Sequence, residues 1–411
     1  MNPTGFQIEH QCPQCGAPVI LQETDRLLTC GFCRVKSFLV SRDVFRYVLP
    51  HRVPEGKELL YVPYWRFKGM AFSCLNEGIR HRIIDISRLA LPSPFFPPSL
   101  GLRTQTLKLR FLASDTGGVF LKSRLSHEDF IDFIERQTRE SLPTPLFLQS
   151  FIGESLSQIY APFYVDSRIY DGVLNRPLVQ DPPEDFDKEL LKGPPPGWRI
   201  RFVPALCPVC GWDLEGDRDS LILVCRNCKS AWQAGKGTFQ GVKAVHLPVE
   251  GGEVSYLPFY RINAEVRGIQ LASYADLVKA ANLPKAPRPE WAEIPFRFWF
   301  PAFKVRPLDL LRFSSHLTLG QPREKFSSGF PEGRLHPVTL SIREAVEGLK
   351  MTLADFLKPA KTMYPMLSGI QIIPQSYLLV YIPFRRRGNE LYQSDYRLRI
   401  NRNLLAFARH L

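Results

Sequence analysis

Cys12-Pro13-Gln14-Cys15-Gly16 is followed by Cys30-Gly31-Phe32-Cys33, with a gap of fourteen residues between Cys15 and Cys30. The pattern returns 195 residues later as Cys207-Pro208-Val209-Cys210-Gly211 with Cys225-Arg226-Asn227-Cys228. Two pairs of cysteines, each pair separated by two residues, put four thiolates on two tight knuckles that can close a tetrahedral metal site. The gap is slightly below the usual span of about 15–20, which a shorter hairpin accommodates. Repetition of the whole spacing makes chance a poor explanation. It predicts two structural zinc ions per chain, held by Cys12, Cys15, Cys30 and Cys33 and by Cys207, Cys210, Cys225 and Cys228. A closed four-sulfur site has no open position for water, so no catalysis is assigned to it. The glycines after Cys15 and Cys210 permit the turn that aims amides at sulfur. Arg34 and Lys229, each following a last cysteine, would offset the negative charge of the thiolates.

The 411 residues exceed one ordinary core and suggest two or three domains. An apolar fraction of 45% with 23% charged residues is that of a globular chain. The 36 prolines and 12% aromatics point to short strands, edges and turns, hence to a β-rich α+β protein. Lys and Arg outnumber Asp and Glu by 53 to 40, and the net +13 attracts any polyanion without choosing among them. Eight of nine cysteines fall in the quartets, which argues for a reducing, cytoplasmic setting rather than a disulfide framework. No signal peptide is expected, because no apolar run precedes the first knuckle. Nor is an integral membrane segment, since the greasiest run, Tyr377 to Ile382, is far short of the ~20 residues that span a bilayer.

Carrying the 195-residue offset past the cysteines aligns His51 with His246, Glu55-Gly56 with Glu250-Gly251, and Tyr61-Val62-Pro63-Tyr64-Trp65-Arg66 with Tyr256-Leu257-Pro258-Phe259-Tyr260-Arg261. Further on, the period-two runs Leu107-Lys108-Leu109-Arg110 and Phe303-Lys304-Val305-Arg306 read as strands with one buried face. Ser126-His127-Glu128-Asp129 and Ser341-Ile342-Arg343-Glu344, now 215 residues apart, read as capping boxes opening helices. Tyr160-Ala161-Pro162 and Tyr381-Ile382-Pro383 close the two copies. A shorter helix is expected over Ser273 to Asn282, with a weak counterpart near Arg82 to Ala90. The extra residues of the second copy, between Ser314 and Pro337, read as loop.

The expected architecture is therefore an internal tandem duplication, each half a four-cysteine ribbon followed by an antiparallel β body with one or two helices. Its expected bounds are a ribbon over 1–40, a body over 41–170 and a Pro-rich acidic linker over 171–200. A second ribbon over 201–235, a second body over 236–392 and a basic C-terminal tail over 393–411 complete it.

Each quartet resembles the zinc ribbons of transcription factors, ribosomal proteins and replication proteins. The likeness covers the knuckles and their hairpins and implies fold and metal. Iron is the rival ion, because rubredoxin-like sites share the Cys-Pro-x-Cys-Gly knuckle. Ribbons of this kind bind DNA, RNA or protein, or brace a domain, so the resemblance carries no function.

The leading expectation is a non-enzymatic zinc-binding scaffold or binding protein that associates with nucleic acid, RNA or single strands. Candidate polyanion contacts are Arg66, Lys68, Lys108, Arg110, Arg261, Lys304, Arg306, Arg385, Arg386, Arg387, Arg397 and Arg399. The aromatic-proline strands are either stacking platforms or core, and core is the reading favoured. One alternative is a protein-assembly adaptor, peripheral at a membrane. Another is an enzyme with its site between the halves. Asp115-Thr116-Gly117 and Gly235-Lys236-Gly237-Thr238 read as turns, and Cys74 as a buried apolar residue.

Overall fold

The computed structural model describes residues 6–41, 43–101, 107–113, 115–178, 192–193, 200–235, 237–249, 251, 253–286, 288–323, 325–331 and 333–410. The acidic residues expected in the linker, Asp181, Glu184, Asp185 and Asp187, lie outside them, as do Lys236 and Glu250.

The first half runs β1 (Gln7–Gln11), β2 (Pro18–Gln22), β3 (Leu27–Thr29), β4 (Lys36–Val40), β5 (Phe45–Val48), β6 (Leu59–Leu75), β7 (Gly78–Leu89), β8 (Lys108–Phe111), β9 (Val119–Phe120), α1 (His127–Glu140), β10 (Leu146–Val165), β11 (Ile169–Asp171) and β12 (Arg176–Pro177). The second runs β13 (Arg201–Pro204), β14 (Ile222–Cys225), β15 (Ser230–Ala234), β16 (Phe239–Val242), β17 (Ala244–His246), β18 (Val254–Arg267), α2 (Tyr274–Ala280), β19 (Phe298–Pro301), α3 (Pro307–Gly320), β20 (Ser327–Ser328), β21 (Arg334–Leu335), α4 (Ile342–Phe356), α5 (Ala360–Met363), β22 (Gln371–Arg387), β23 (Glu390–Gln393), β24 (Leu398–Asn401) and α6 (Arg402–Phe407).

Among the described residues a ten-stranded sheet gathers the first half around β6 and β10, and an eight-stranded sheet gathers the second around β18 and β22. In each the long antiparallel pair meets tyrosine to proline. Tyr61 faces Pro162 and Pro63 faces Tyr160, as Tyr256 faces Pro383 and Pro258 faces Tyr381. The bodies are mixed rather than antiparallel, because β5 runs parallel to β10, β9 to β6, β17 to β22 and β21 to β18. Period two specifies which face of a strand is buried and is silent on the direction of its neighbour.

β6 shows how the halves join. Its odd residues Trp65, Phe67 and Ala71 pack with Phe130 and Ile134 of α1. Its even face begins in the first core with Leu60, Val62 and Tyr64 and ends in the second core with Met70, Phe72 and Cys74. Between those two apolar stretches the same face carries Arg66 and Lys68, both buried. From the other side α4 approaches closely at Gly348, where an added Cβ would overlap the Phe300 ring and press on Ile152 of β10.

Several expectations fail for tertiary reasons. Phe303 to Arg306 is irregular chain rather than strand, buried as far as Val305, its Lys304 amide donating to Thr339 Oγ1 at 2.8 Å. Arg82 to Leu89 belongs to β7 instead of a helix, and Ala90 lies just beyond it. Part of the expected loop after Ser314 is the end of α3, which Pro307 opens and whose Leu310, Phe313, Ser314 and Leu317 are buried. The basic tail is folded, with Leu398, Ile400 and Leu405 in the second core. His51 and His246 do not correspond. The amides that donate to Tyr160 O and Tyr381 O are Leu49 and Leu247, both at 3.0 Å, so the following loop is three residues shorter in the second half. The capping boxes at Ser126, Ser273 and Ser341 are formed as expected.

Candidate metal centres and basic surfaces

Each knuckle is a backbone turn that its glycine makes accessible. Gly16 donates to Cys12 O at 2.9 Å with φ +73°, and Gly211 donates to Cys207 O at 2.9 Å with φ +71°. A side chain at either position would be strained in that left-handed region. Arg34 and Lys229 follow the second knuckles at φ +62° and +53°.

These turns bring the sulfurs together. In each quartet the four ligand atoms lie within 4.8 Å of one another. Cys12 to Cys33 is 3.8 Å, Cys15 to Cys30 is 3.7 Å, Cys207 to Cys228 is 3.6 Å and Cys210 to Cys225 is 3.4 Å. Sulfurs about 2.3 Å from a central zinc at tetrahedral corners are about 3.8 Å apart. The donor set and its spacing fit a divalent ion of that kind, and the distances are far beyond a disulfide bond of about 2.05 Å.

The electrostatics agree. Amide donors from Cys33 and Phe32 hold the Cys30 thiol down to about 6. At Cys207, burial pushes up, but the Cys210 and Val209 amides bring the thiol to about 6. Cys225, buried beside the other thiols, is pushed up to about 12. Four thiolates coexist at such range when a cation sits among them, and binding then releases protons.

The quartets differ outside the sulfurs. Ser230 Oγ lies 2.9 Å from Cys228 Sγ and accepts from Trp232 Nε1 at 2.7 Å, which leaves its own proton for the sulfur. The matching place in the first quartet is Val35, which is exposed.

The two quartet modules also touch. β4 pairs antiparallel with β13, and Leu27 and Phe38 pack with Ala205, Leu214 and Phe239. Arg26 and Leu27 amides both donate to Arg218 O, and Arg218 pairs with Asp25 at 2.5 Å.

The twelve candidate cations separate into three groups. Arg66, Lys68 and Lys304 are buried, so they cannot meet an external polyanion. Arg66, 1% exposed, forks onto both oxygens of Asp85 at 2.9 Å and pairs with Glu23. Burial pushes the Glu23 carboxyl up, but Arg66, Lys68 and Lys304 together pull it below its ordinary value. Burial lowers Lys68 and Lys304 in turn. Lys108 and Arg110 face Glu9 at 3.3 and 3.8 Å, Arg306 bonds Asp309, and Arg261 covers the Phe326 ring. Arg385, Arg386, Arg387 and Arg399 are exposed on β22 and β24, with Arg397 exposed in the turn between β23 and β24 and Arg386 lying 3.8 Å from Glu253.

Tyr61, Tyr160, Tyr256 and Tyr381 are buried, so the aromatic-proline strands are core at those positions. Cys74 is buried and pushed up to about 11 by its surroundings. Asp115 to Gly117 is a turn, closed by Thr116 donating to Ala113 O. Glu23 and Asp85 escaped the sequence reading, since no spacing links them to Arg66. Ser230 and Trp232 alternate with the ladder after Cys228, and that local signal was available.

Comparison with protein-family models, with curated proteins and with solved structures finds no match to this chain.

Proposed function

We propose that this chain is a zinc-braced, non-enzymatic binding protein made of two copies of one module, which associates with RNA or single-stranded DNA. Two sets of matched hydrogen bonds support the duplication. Ala90 N donates to Pro63 O and Ala302 N to Pro258 O. Arg124 and Leu125 amides then reach Ala90 O, as Thr339 and Leu340 amides reach Ala302 O. Even the side-chain bonds correspond, Trp65 Nε1 to Leu125 O and Tyr260 Oη to Leu340 O. A ribbon at the head of each copy then acts as a brace, because a closed thiolate site offers no position for substrate.

The observation that carries the binding reading is the sorting of the cations. Three of the cations are buried in the fold, while five of the exposed ones cluster on β22 to β24 and the turn before β24. Counterion release from phosphates makes such binding salt-dependent. Titration with a generic labelled oligonucleotide is expected to show association at low salt that weakens as salt rises. No association at low salt, or no slope, rejects the reading. Elemental analysis is expected to find two zinc per chain, and fewer than two rejects the metal assignment.

A second reading has its own support. Phe32 on the first quartet is 72% exposed, and on the second Trp212 is 59% exposed, with Val209 and Leu206 of the same loop also exposed, which suits a protein partner docking on the ribbons. The enzyme alternative turns on the cleft of about 1260 Å³ beside α1, where Asp43 pairs with Arg46 and Glu347 with Arg343. No helix among the described residues is long and apolar enough to cross a membrane.

A further inference from the structure

The halves diverge sharply at one position of a shared ladder. Two residues beyond the paired proline of the first half, Tyr164 lies opposite Tyr170, and Tyr170 lies opposite Pro177. The rings of Tyr164 and Tyr170 stack at 4.9 Å and 11°, and the Tyr164 hydroxyl donates to Asn175. Two residues beyond the paired proline of the second half, Arg385 lies opposite Tyr392, and Tyr392 lies opposite Arg399. A closed aromatic ladder in one copy is thus an arginine-tyrosine-arginine ladder in the other.

Residues directly opposite across a ladder share a face. The neighbouring pairs Leu391 with Ile400 and Gln393 with Leu398 are all buried, so the opposite face of β23 and β24 is the core side. Arg385, Tyr392 and Arg399 therefore project outward, and Tyr392 is 39% exposed. Arg387 lies on the same face, across from Glu390. Among the described residues, neither Arg397 nor Arg399 makes an ion pair through its side chain. Beside Tyr392 opens a cavity of about 460 Å³ whose lining includes Pro248, Lys325, Pro383, Arg385 and Ser394. Its one acid, Asp395, is engaged by Gln393 Nε2 at 3.1 Å and Ser394 Oγ at 3.2 Å.

We propose that this ladder is a platform for one strand of nucleic acid, with a base stacked on Tyr392 over the cavity and flanking phosphates held by Arg385 and Arg399. It rests on the nucleic-acid reading and assigns it a place. The guanidinium-bearing strands lie two strand spacings apart, about 10 Å, with the aromatic ring between them. Aromatic stacking between cations suits a single strand, whose bases are free, and not a duplex, whose bases are stacked within it. A charge-only surface needs the arginines and has no use for the tyrosine.

The experiment uses the full zinc-loaded chain and measures anisotropy of labelled twelve-residue oligo-U and oligo-dT at 50 mM salt, with a duplex of the same length alongside. Tyr392→Ala is expected to weaken single-strand binding at least tenfold, and Tyr392→Phe to keep it. Arg385→Gln with Arg399→Gln is expected to reduce the salt slope by about 2. Zinc content and melting temperature of the variants check that the hairpin folds. Single-strand binding left undiminished by Tyr392→Ala and by Arg385→Gln with Arg399→Gln overturns the platform and leaves the broader reading standing. No wild-type binding overturns both. If Tyr392→Ala is silent while inorganic polyphosphate or phosphatidylserine vesicles compete equally, the face is a charge surface only and the platform is rejected. Tighter duplex than single-strand binding also rejects it.

Discussion

The two quartets share their knuckle turns and sulfur spacing and differ in what holds them. In the first, β1 and β2 extend the ten-stranded sheet through β8, β4 pairs with a strand of the other half, and Glu23 reaches the buried Arg66. In the second, β14 to β16 form their own three-stranded sheet, and Ile222, Val224 and Ala231 rest on the second core. The first is tied by hydrogen-bonded strands and the Glu23–Arg66 pair, the second by apolar packing and by Arg409, which pairs with Asp217 and Asp219. Equal cages can therefore brace different amounts of protein.

Breaking a cage tests that difference most strongly. Cys15→Ser and Cys210→Ser are each expected to cost more than about 4 kcal/mol, because metal binding energy here is folding energy. Hydrogen exchange followed by mass spectrometry separates them. Cys15→Ser is expected to loosen β6 and β13 together, whereas Cys210→Ser loosens β14 to β16 and leaves β6 protected. The same exchange pattern for both variants ends the comparison.

The charge link through Glu23 comes next. Removing one partner of a buried pair typically costs on the order of 3–5 kcal/mol, and Glu23→Gln is expected to fall near the lower end because Arg66 keeps Asp85. The sign with pH is set by the direction of the shift. The folded carboxyl titrates below its ordinary value, so its stabilisation is complete above about pH 4.5 and is lost as pH falls through the folded value. Melting temperatures of wild type and Glu23→Gln should converge on acidification through that window. A constant difference would show that Glu23 acts by shape rather than charge.

The smallest expected effect lies beside the sulfurs. Ser230→Ala is expected to weaken one of the two metal equivalents about 10–100-fold, read by chelator competition, since partners outside the ligands orient and tune them. Val35→Ser should tighten the other. Release of both equivalents in step after Ser230→Ala would mean that the cages are coupled through β4 and β13.

What could be read along the chain was whatever depends on neighbours in sequence. The knuckles follow from cysteine spacing and a glycine able to adopt positive φ, and the helix starts follow from serine with an acid three residues on. α3 was missed because its leading Pro307 directly follows a run with strand periodicity, Phe303 to Arg306. The His51 and His246 match failed because a fixed offset cannot register a loop shortened by three residues.

The candidate cations show the same boundary. Alternation places Arg66 and Lys68 on β6 and says nothing about what covers them. Two apolar cores meeting end to end along one face of β6 turn those charges into part of the seam, whereas three strands at the far end of β22 leave the Arg385 face open. Cage and capping are local because their hydrogen bonds and ligands lie within a few residues or one hairpin. Burial, pairing of distant charges and the open hairpin face depend on which strands meet, and only the folded chain decided them.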